Sequence, residues 1–406
     1  MGENILRQDK NFPLIENETC AFLKSAWKKG LLNEYAEEHF LIKAIEMRLE
    51  DFIAKEQLIE NNLNLYGIVR SDKTINTELF CITFCMNLSC KLSGLSNIFG
   101  VSQVESFILN QLSAGKQNYN EDAFFQALSE ISVLSFWGRH QWLETIYEPP
   151  VSEICKKNPE ATFIGEIECR ASDEEQENIC KVKINVEVKS PAFPHDKHVD
   201  ERIVIPTVLL SEKGREKVRA LCEESKVKYL DPRVLKLRDF LNSASSKFNI
   251  PEANEFNILY INWSYRDFPS NSFLEAWSLL TNEKNGVLVN PESARAVGIN
   301  PDIFEKLSAV IVYTESLEGL MFNDFSCVWQ ENGKGPRFRM WIINDKIRKD
   351  TLEGKTDILF ELTRMKSDKQ LTQYFMLDYK AKNEEEKIDA CVFSQILLKI
   401  IENNCF

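Results

Sequence analysis

The sequence predicts an α/β fold, a mixed sheet of α+β character flanked by helices and preceded by a helical N-terminal region. Three observations carry that expectation. Helical periodicity fills the first part of the chain. Two alternating runs then flank a short acidic turn, and further strongly apolar runs are separated by helical segments. At 406 residues the chain can build a sizeable core and two or three domains. Its 44% hydrophobic and 27% charged residues are ordinary for a globular protein.

Residues 1–118 read as a helical N-terminal domain: AFLKSAWKKGLLNEYAEEHFLIKAIEMRLEDFIAKEQLI repeats apolar residues at spacings of three and four. SQVESFILNQL continues the pattern as one more helix. The polar stretch 114–122 offers a linker, with Asn120 or Asp122 as N-cap of the helix EDAFFQALSEISVLSFW. A turn region with Pro149 and Pro150 follows, then the strand-like runs ATFIGEIECRA and ICKVKINVEVKS around SDEEQEN. In the second run Cys180, Val182, Ile184, Val186 and Val188 share one side, while Lys181, Lys183, Asn185, Glu187 and Lys189 share the other. Such a pair predicts an antiparallel hairpin with one buried face. After an insertion at about 190–231 come the helix PRVLKLRDFLNSASSKF, with Pro232 in its first turn, and the buried strands FNILYINWS and LSAVIVYT. The core is thus expected over 119–330, with a C-terminal α/β extension over 331–406 in which RFRMWIIND and QYFMLDYKAK read as strands and DACVFSQILLKIIENN as a helix.

The N-terminus MGENILRQDKNFPLIENET is too polar for a signal peptide, and no apolar run approaches the ~18 residues of a membrane span. A cytoplasmic protein without membrane contact is the expectation. The 11 cysteines then read as packed, reduced thiols. Cys81, Cys85 and Cys90 cluster, but no CxxC pair or nearby histidine gives zinc spacing. The net charge of −13 argues against nucleic-acid binding, although 201–250 is locally basic, with eleven Lys or Arg against seven Asp or Glu. Gly-rich phosphate loops and GxSxG are absent, which disfavours nucleotide binding and serine hydrolysis.

The chemistry-bearing pattern is Glu187-Val188-Lys189. A carboxylate and a lysine two residues apart on a strand share a face. Together they supply a hard oxygen ligand for Mg²⁺ or Mn²⁺ and an amine to steady an attacking hydroxide. An isolated E-x-K is commonplace on a solvated strand, so its neighbours matter. Pairing the strands around 173–177 sets residue 160 opposite residue 189, which brings Glu160, Glu187 and Lys189 to one end of the hairpin. Glu166 and Glu168 then face Lys183 and Lys181 as cross-strand ion pairs. Glu130 sits against an apolar stripe with Gln126, Ala127, Val133 and Leu134, and its alternative is a helix-edge carboxylate reaching solvent.

The order SEISVLSFW…YEPP…NPEATFI…INVEVKSP, then a helix and FNILYINW, resembles the PD-(D/E)xK nuclease superfamily over roughly 119–265. The resemblance implies a restriction-endonuclease-like α-β-β-β-α-β core. It assigns Glu130 to the first-helix acid, Pro159-Glu160 to the Pro-Asp position, and Glu187 and Lys189 to the E-x-K. Pro-Glu in place of Pro-Asp lengthens one ligand arm, and the insertion after the E-x-K is long.

The expectation is therefore a Mg²⁺- or Mn²⁺-dependent endonuclease acting on DNA, with RNA cleavage an alternative that the same site chemistry leaves open. Glu130, Glu160, Glu187 and Lys189 are its catalytic residues, and Glu160 and Glu187 its metal ligands. Lys236, Arg238 and Lys247 would contact the phosphate backbone. The N-terminal helices would dock a partner protein or a second copy, and a restriction or anti-phage role follows by analogy. The rival is a nuclease-like scaffold that no longer cleaves. His195 and His198 read as loop residues, and Pro301-Asp302 with Asp378-Tyr379-Lys380 as a decoy that lacks the following strand.

Overall fold

The computed structural model describes residues 7–12, 18–46, 73–149, 158–170, 177–191, 202–204, 212–224, 228–230, 233–263, 276, 279–281, 286–313 and 338–342. His195, His198, Asp378, Lys380, QYFMLDYKAK and the closing helix lie outside them. The protein is of mixed α/β class.

Among the described residues, the helices α1 (Ala21–Lys28), α2 (Phe40–Glu46), α3 (Lys73–Phe99) and α4 (Val101–Phe107) precede the sheet region. Helix α5 (Glu121–Trp137) begins where the sequence sets its cap, with the Asn120 side chain accepting from the Ala123 amide at 2.9 Å. Its middle, from Ala127 to Leu134, is buried on every side. A helix buried all round must lie between two layers, and α5 does so. Phe124 meets Phe40 and Phe84 of the N-terminal helices, while Trp137 stacks on Phe163 of the sheet.

Six strands form one sheet in the order β1-β2-β3-β6-β7-β8. They are β1 (Glu144–Tyr147), β2 (Ala161–Arg170), β3 (Glu177–Lys189), β6 (Glu255–Asn262), β7 (Ala309–Tyr313) and β8 (Phe338–Ile342). β2 is antiparallel to both neighbours, β3, β6 and β7 run parallel, and β8 is antiparallel to β7. In the insertion, β4 (Arg202–Val204) and β5 (Lys228–Leu230) form a separate parallel pair, and α6 (Glu212–Glu224) lies between them in sequence. Helix α7 (Val234–Ser245) links β3 to β6. The short helices α8 (Pro291–Val297) and α9 (Ile303–Lys306) precede β7.

The sheet is covered on both faces. Val182, Ile184, Val186, Val188, Ile258 and Tyr260 share a core with α5 and the N-terminal helices. Leu259, Ile261, Val310 and Val312 pack instead against Leu237, Leu241 and Ala244 of α7. The hairpin was expected to bury one face; near its open end both are buried, because α7 covers the side that carries Asn185 and Glu187. Gly165 admits Trp142 to the sheet, since a Cβ there would lie 2.7 Å from the indole.

Three expectations change. First, Ala161 pairs with Val186 and Arg170 with Glu177, so the strand register extends to Glu160 opposite Glu187 rather than Lys189. The turn is centred one residue earlier than the sequence suggested, and that moves every partner by two while keeping each side chain on its face. In consequence Glu166 faces Lys181, Glu168 faces Ile179, and Lys183 forms its ion pair with Glu255 at 2.8 Å. Second, β1 occupies part of the stretch read as a turn region. Third, Cys81 and Cys85 are buried free thiols as expected, whereas Cys180 is disulfide-bonded.

Candidate active site

Glu187 is the penultimate odd-numbered residue of β3, and its parity turns it to the α7 side of the sheet. It is fully buried at 0% exposure. Glu160 precedes β2 and is held by two backbone bonds, its amide donating to Val186 O and its carbonyl accepting from the Glu148 amide, both at 2.9 Å. Its exposure is 8%. Glu130 comes from the middle of α5 at 4% exposure and hydrogen-bonds the Glu160 side chain. The helix-edge alternative, a carboxylate reaching solvent, does not hold for Glu130. Three elements distant in sequence thus bring three carboxyl groups together.

Two amines balance them. Lys189 pairs with Glu187 Oε1. Lys247, just past the end of α7, stands 2.7 Å from Glu187 Oε1, 2.9 Å from Oε2 and 3.5 Å from Glu160 Oε1. Both ammonium groups thus converge on Glu187 Oε1. That buried oxygen is held by the charges of the two ammonium groups.

The electrostatics follow from this crowding. Burial raises the Glu130 carboxyl well above the ordinary range, and the neighbouring Glu160 and Glu187 add to the rise. Burial likewise pushes Glu187 up to about 7; Glu160 acts in the same direction, while Lys189 and Lys247 pull it down. For Lys247, burial lowers the pKa, but Glu160 and Glu187 outweigh it and hold the ammonium above its usual value. Tyr147 borders the cluster, with burial first and Glu130 next raising its phenol.

A hydrogen-bonded brace fixes the end of β3. Gln126, one turn before Glu130 on α5, donates to Val188 O at 3.0 Å and accepts from Ser190 N at 2.6 Å and Ser190 Oγ at 2.9 Å. These bonds hold the backbone on both sides of Lys189. A second buried ladder continues along the same face: Thr162 donates to Asn185, and Asn185 donates to Glu255 and Asn257. It satisfies polar groups next to the carboxylates and ends on Glu255, whose charge Lys183 balances.

Of the residues expected at the site, Glu130, Glu160, Glu187 and Lys189 converge. Lys247 joins them as an ion-pair partner of the carboxylates. Lys236 and Arg238 do not: Lys236 lies over the Phe240 ring and Arg238 binds Asp239. The decoy residue Asp302 is exposed near α9. Gln126 and Ser190 were missed as braces, and the Lys247 contact was missed as well. Both had signals. Gln126 is four residues before Glu130 on the same helix face, and Lys247 falls on the stripe Leu237, Phe240, Leu241, Ala244 at the next spacing of three.

Glu160 and Glu187 fit a divalent cation as hard oxygen ligands. Among the described residues no three His, Cys, Asp or Glu side chains stand as a ready-made ligand set. The Lys247 amine lies between the two carboxylates instead. Among the described residues no helix is long and apolar enough to cross a membrane. No protein-family model, no curated protein and no solved structure matches the chain.

Proposed function

We propose that the chain is a divalent-metal-dependent endonuclease with a restriction-endonuclease-like core, acting on DNA in preference to RNA. One observation carries this reading. Glu130, Glu160, Glu187 and Lys189, taken from a helix, a strand entry and a strand exit, meet at one buried point on a sheet whose strand order is β1-β2-β3-β6 with α5 before it and α7 within it. Those four residue types supply what phosphodiester hydrolysis needs.

Glu160 and Glu187 hold the cation, Mg²⁺ or Mn²⁺. When bound it supplies an acidified water and stabilises charge on the phosphate. Glu130 positions Glu160 through their shared hydrogen bond. Lys189, anchored by Glu187 and by the Gln126 brace, is set to orient the nucleophilic water and to meet developing negative charge. Burial of the carboxylates excludes bulk water and strengthens each of these interactions. The restriction or anti-phage role belongs to this proposal by analogy of fold.

A second reading, a non-cleaving scaffold, is favoured by the net charge of −13 and by the amine already seated between the carboxylates. Incubation of plasmid DNA, linear DNA and RNA with Mg²⁺, Mn²⁺ or EDTA separates the two. Metal-dependent cutting of DNA that Glu187→Ala and Lys189→Ala both abolish is the expected result. Absence of cutting together with absence of metal binding by calorimetry selects the scaffold.

A further inference from the structure

We propose that Lys247 is the resident counter-ion of this site, standing where the divalent cation binds, and that the cation enters by displacing it. The inference rests on the nuclease reading. Its basis is the bridging geometry. One ammonium touches both oxygens of Glu187 and reaches Glu160, so it spans the two carboxylates that form the ligand pair. Lys189 touches Glu187 alone among the three carboxylates and bridges nothing.

The two occupants exclude each other. Magnesium requires oxygen at about 2.0–2.1 Å in octahedral array, and an ammonium 2.7 Å from the same oxygen leaves no volume for it. Displacement is feasible because Lys247 lies beyond the last residue of α7, on a long stem whose side chain keeps 15% exposure. It can swing to the rim while Leu241, Ala244 and Phe248 stay packed. The released amine then faces solvent beside the site, able to meet a phosphate oxygen. This explains why a basic residue assigned by sequence to the substrate backbone lies on the catalytic carboxylates.

Calorimetric titration with Mn²⁺ of the wild-type chain, Lys247→Met and Lys189→Met tests the idea. Removing a competitor should tighten binding about tenfold in Lys247→Met, while the single-charge control Lys189→Met should gain less than about threefold. Amine acetylation of the wild-type chain, read by peptide mass, supplies a measurement that needs no variant to fold. Labelling of Lys247 should be slow without metal and rise several-fold with Mg²⁺. Equal tightening in both variants would reduce the effect to net charge and overturn the inference, as would Lys247 labelling unchanged by saturating metal. In those cases metal binding itself leaves the nuclease reading standing. If none of the three proteins binds Mn²⁺, both proposals fall.

Discussion

At the level of single residues, the unusual group is Glu187, a carboxyl with no exposure that titrates near 7 because burial and Glu160 outweigh two lysines. In the unfolded chain it reverts to about 4.5. Between those values the native state binds a proton that the unfolded state does not. The stabilising contribution is therefore complete below the lower value and is lost as pH rises through the upper one. Compared with Glu187→Gln, the metal-free wild type should lose at most about 3 kcal/mol between pH ~4.5 and ~7.5. Paired thermal melts across that range check it, and a constant difference between the two proteins would show that Glu187 is already ionised at low pH. The E-x-K itself was legible in the sequence because parity on a strand needs no knowledge of neighbours. The Lys247 contact was not, since a lysine on an apolar stripe can snorkel to solvent equally well, and only the seating of α7 on the sheet decides where its amine goes.

At the level of elements, α5 does two separable jobs. Its N-terminus is fixed by Asn120, and its middle aims Glu130 and Gln126 at the end of β3. Asn120→Ala should cost about 1 kcal/mol and leave cleavage by the folded protein unchanged. Gln126→Leu removes three hydrogen bonds and leaves Val188 O and Ser190 N short of a partner, at about 1–3 kcal/mol. It also frees the backbone beside Lys189, so single-turnover cleavage should fall about 10²-fold. Melting curves and single-turnover rates on both variants distinguish the roles; similar rate losses would mean that Gln126 only stabilises the helix. The same elements show where sequence reading stops. The strands β2 and β3, and their faces, follow from alternation. Their register depends on the turn centre, and a one-residue error there carried residue 160 from Glu187 to Lys189 without violating any polarity rule. β1 has only four residues, too few for alternation to separate from an ordinary loop.

At the level of the whole molecule, the sequence reads 114–122 as a linker because it is polar. In the structure that stretch is tied back by Ala36 N donating to Lys116 O, Gln117 donating to Glu34 O and Asn120 N donating to Ala114 O. Polarity reports solvent contact and is blind to such backbone ties. The N-terminal helices and one face of the sheet also share a single core, with α5 between them and Phe124 against both Phe40 and Phe84. A core that is continuous through a buried helix couples its two sides, since neither can expose α5 without losing apolar burial on both. Phe84→Ala on α3, far in sequence from the carboxylates, should cost about 3–5 kcal/mol and lower the midpoint of the sheet region by the same amount as that of the helices. Far-ultraviolet circular dichroism follows the helices, and fluorescence of Trp137 and Trp142, which pack on Phe163, follows the sheet. Coincident melts, shifted together in Phe84→Ala, are the expected outcome. If the tryptophan signal instead keeps its wild-type midpoint, α5 does not transmit stability across the core, and the carboxylate site would stand independently of the N-terminal helices.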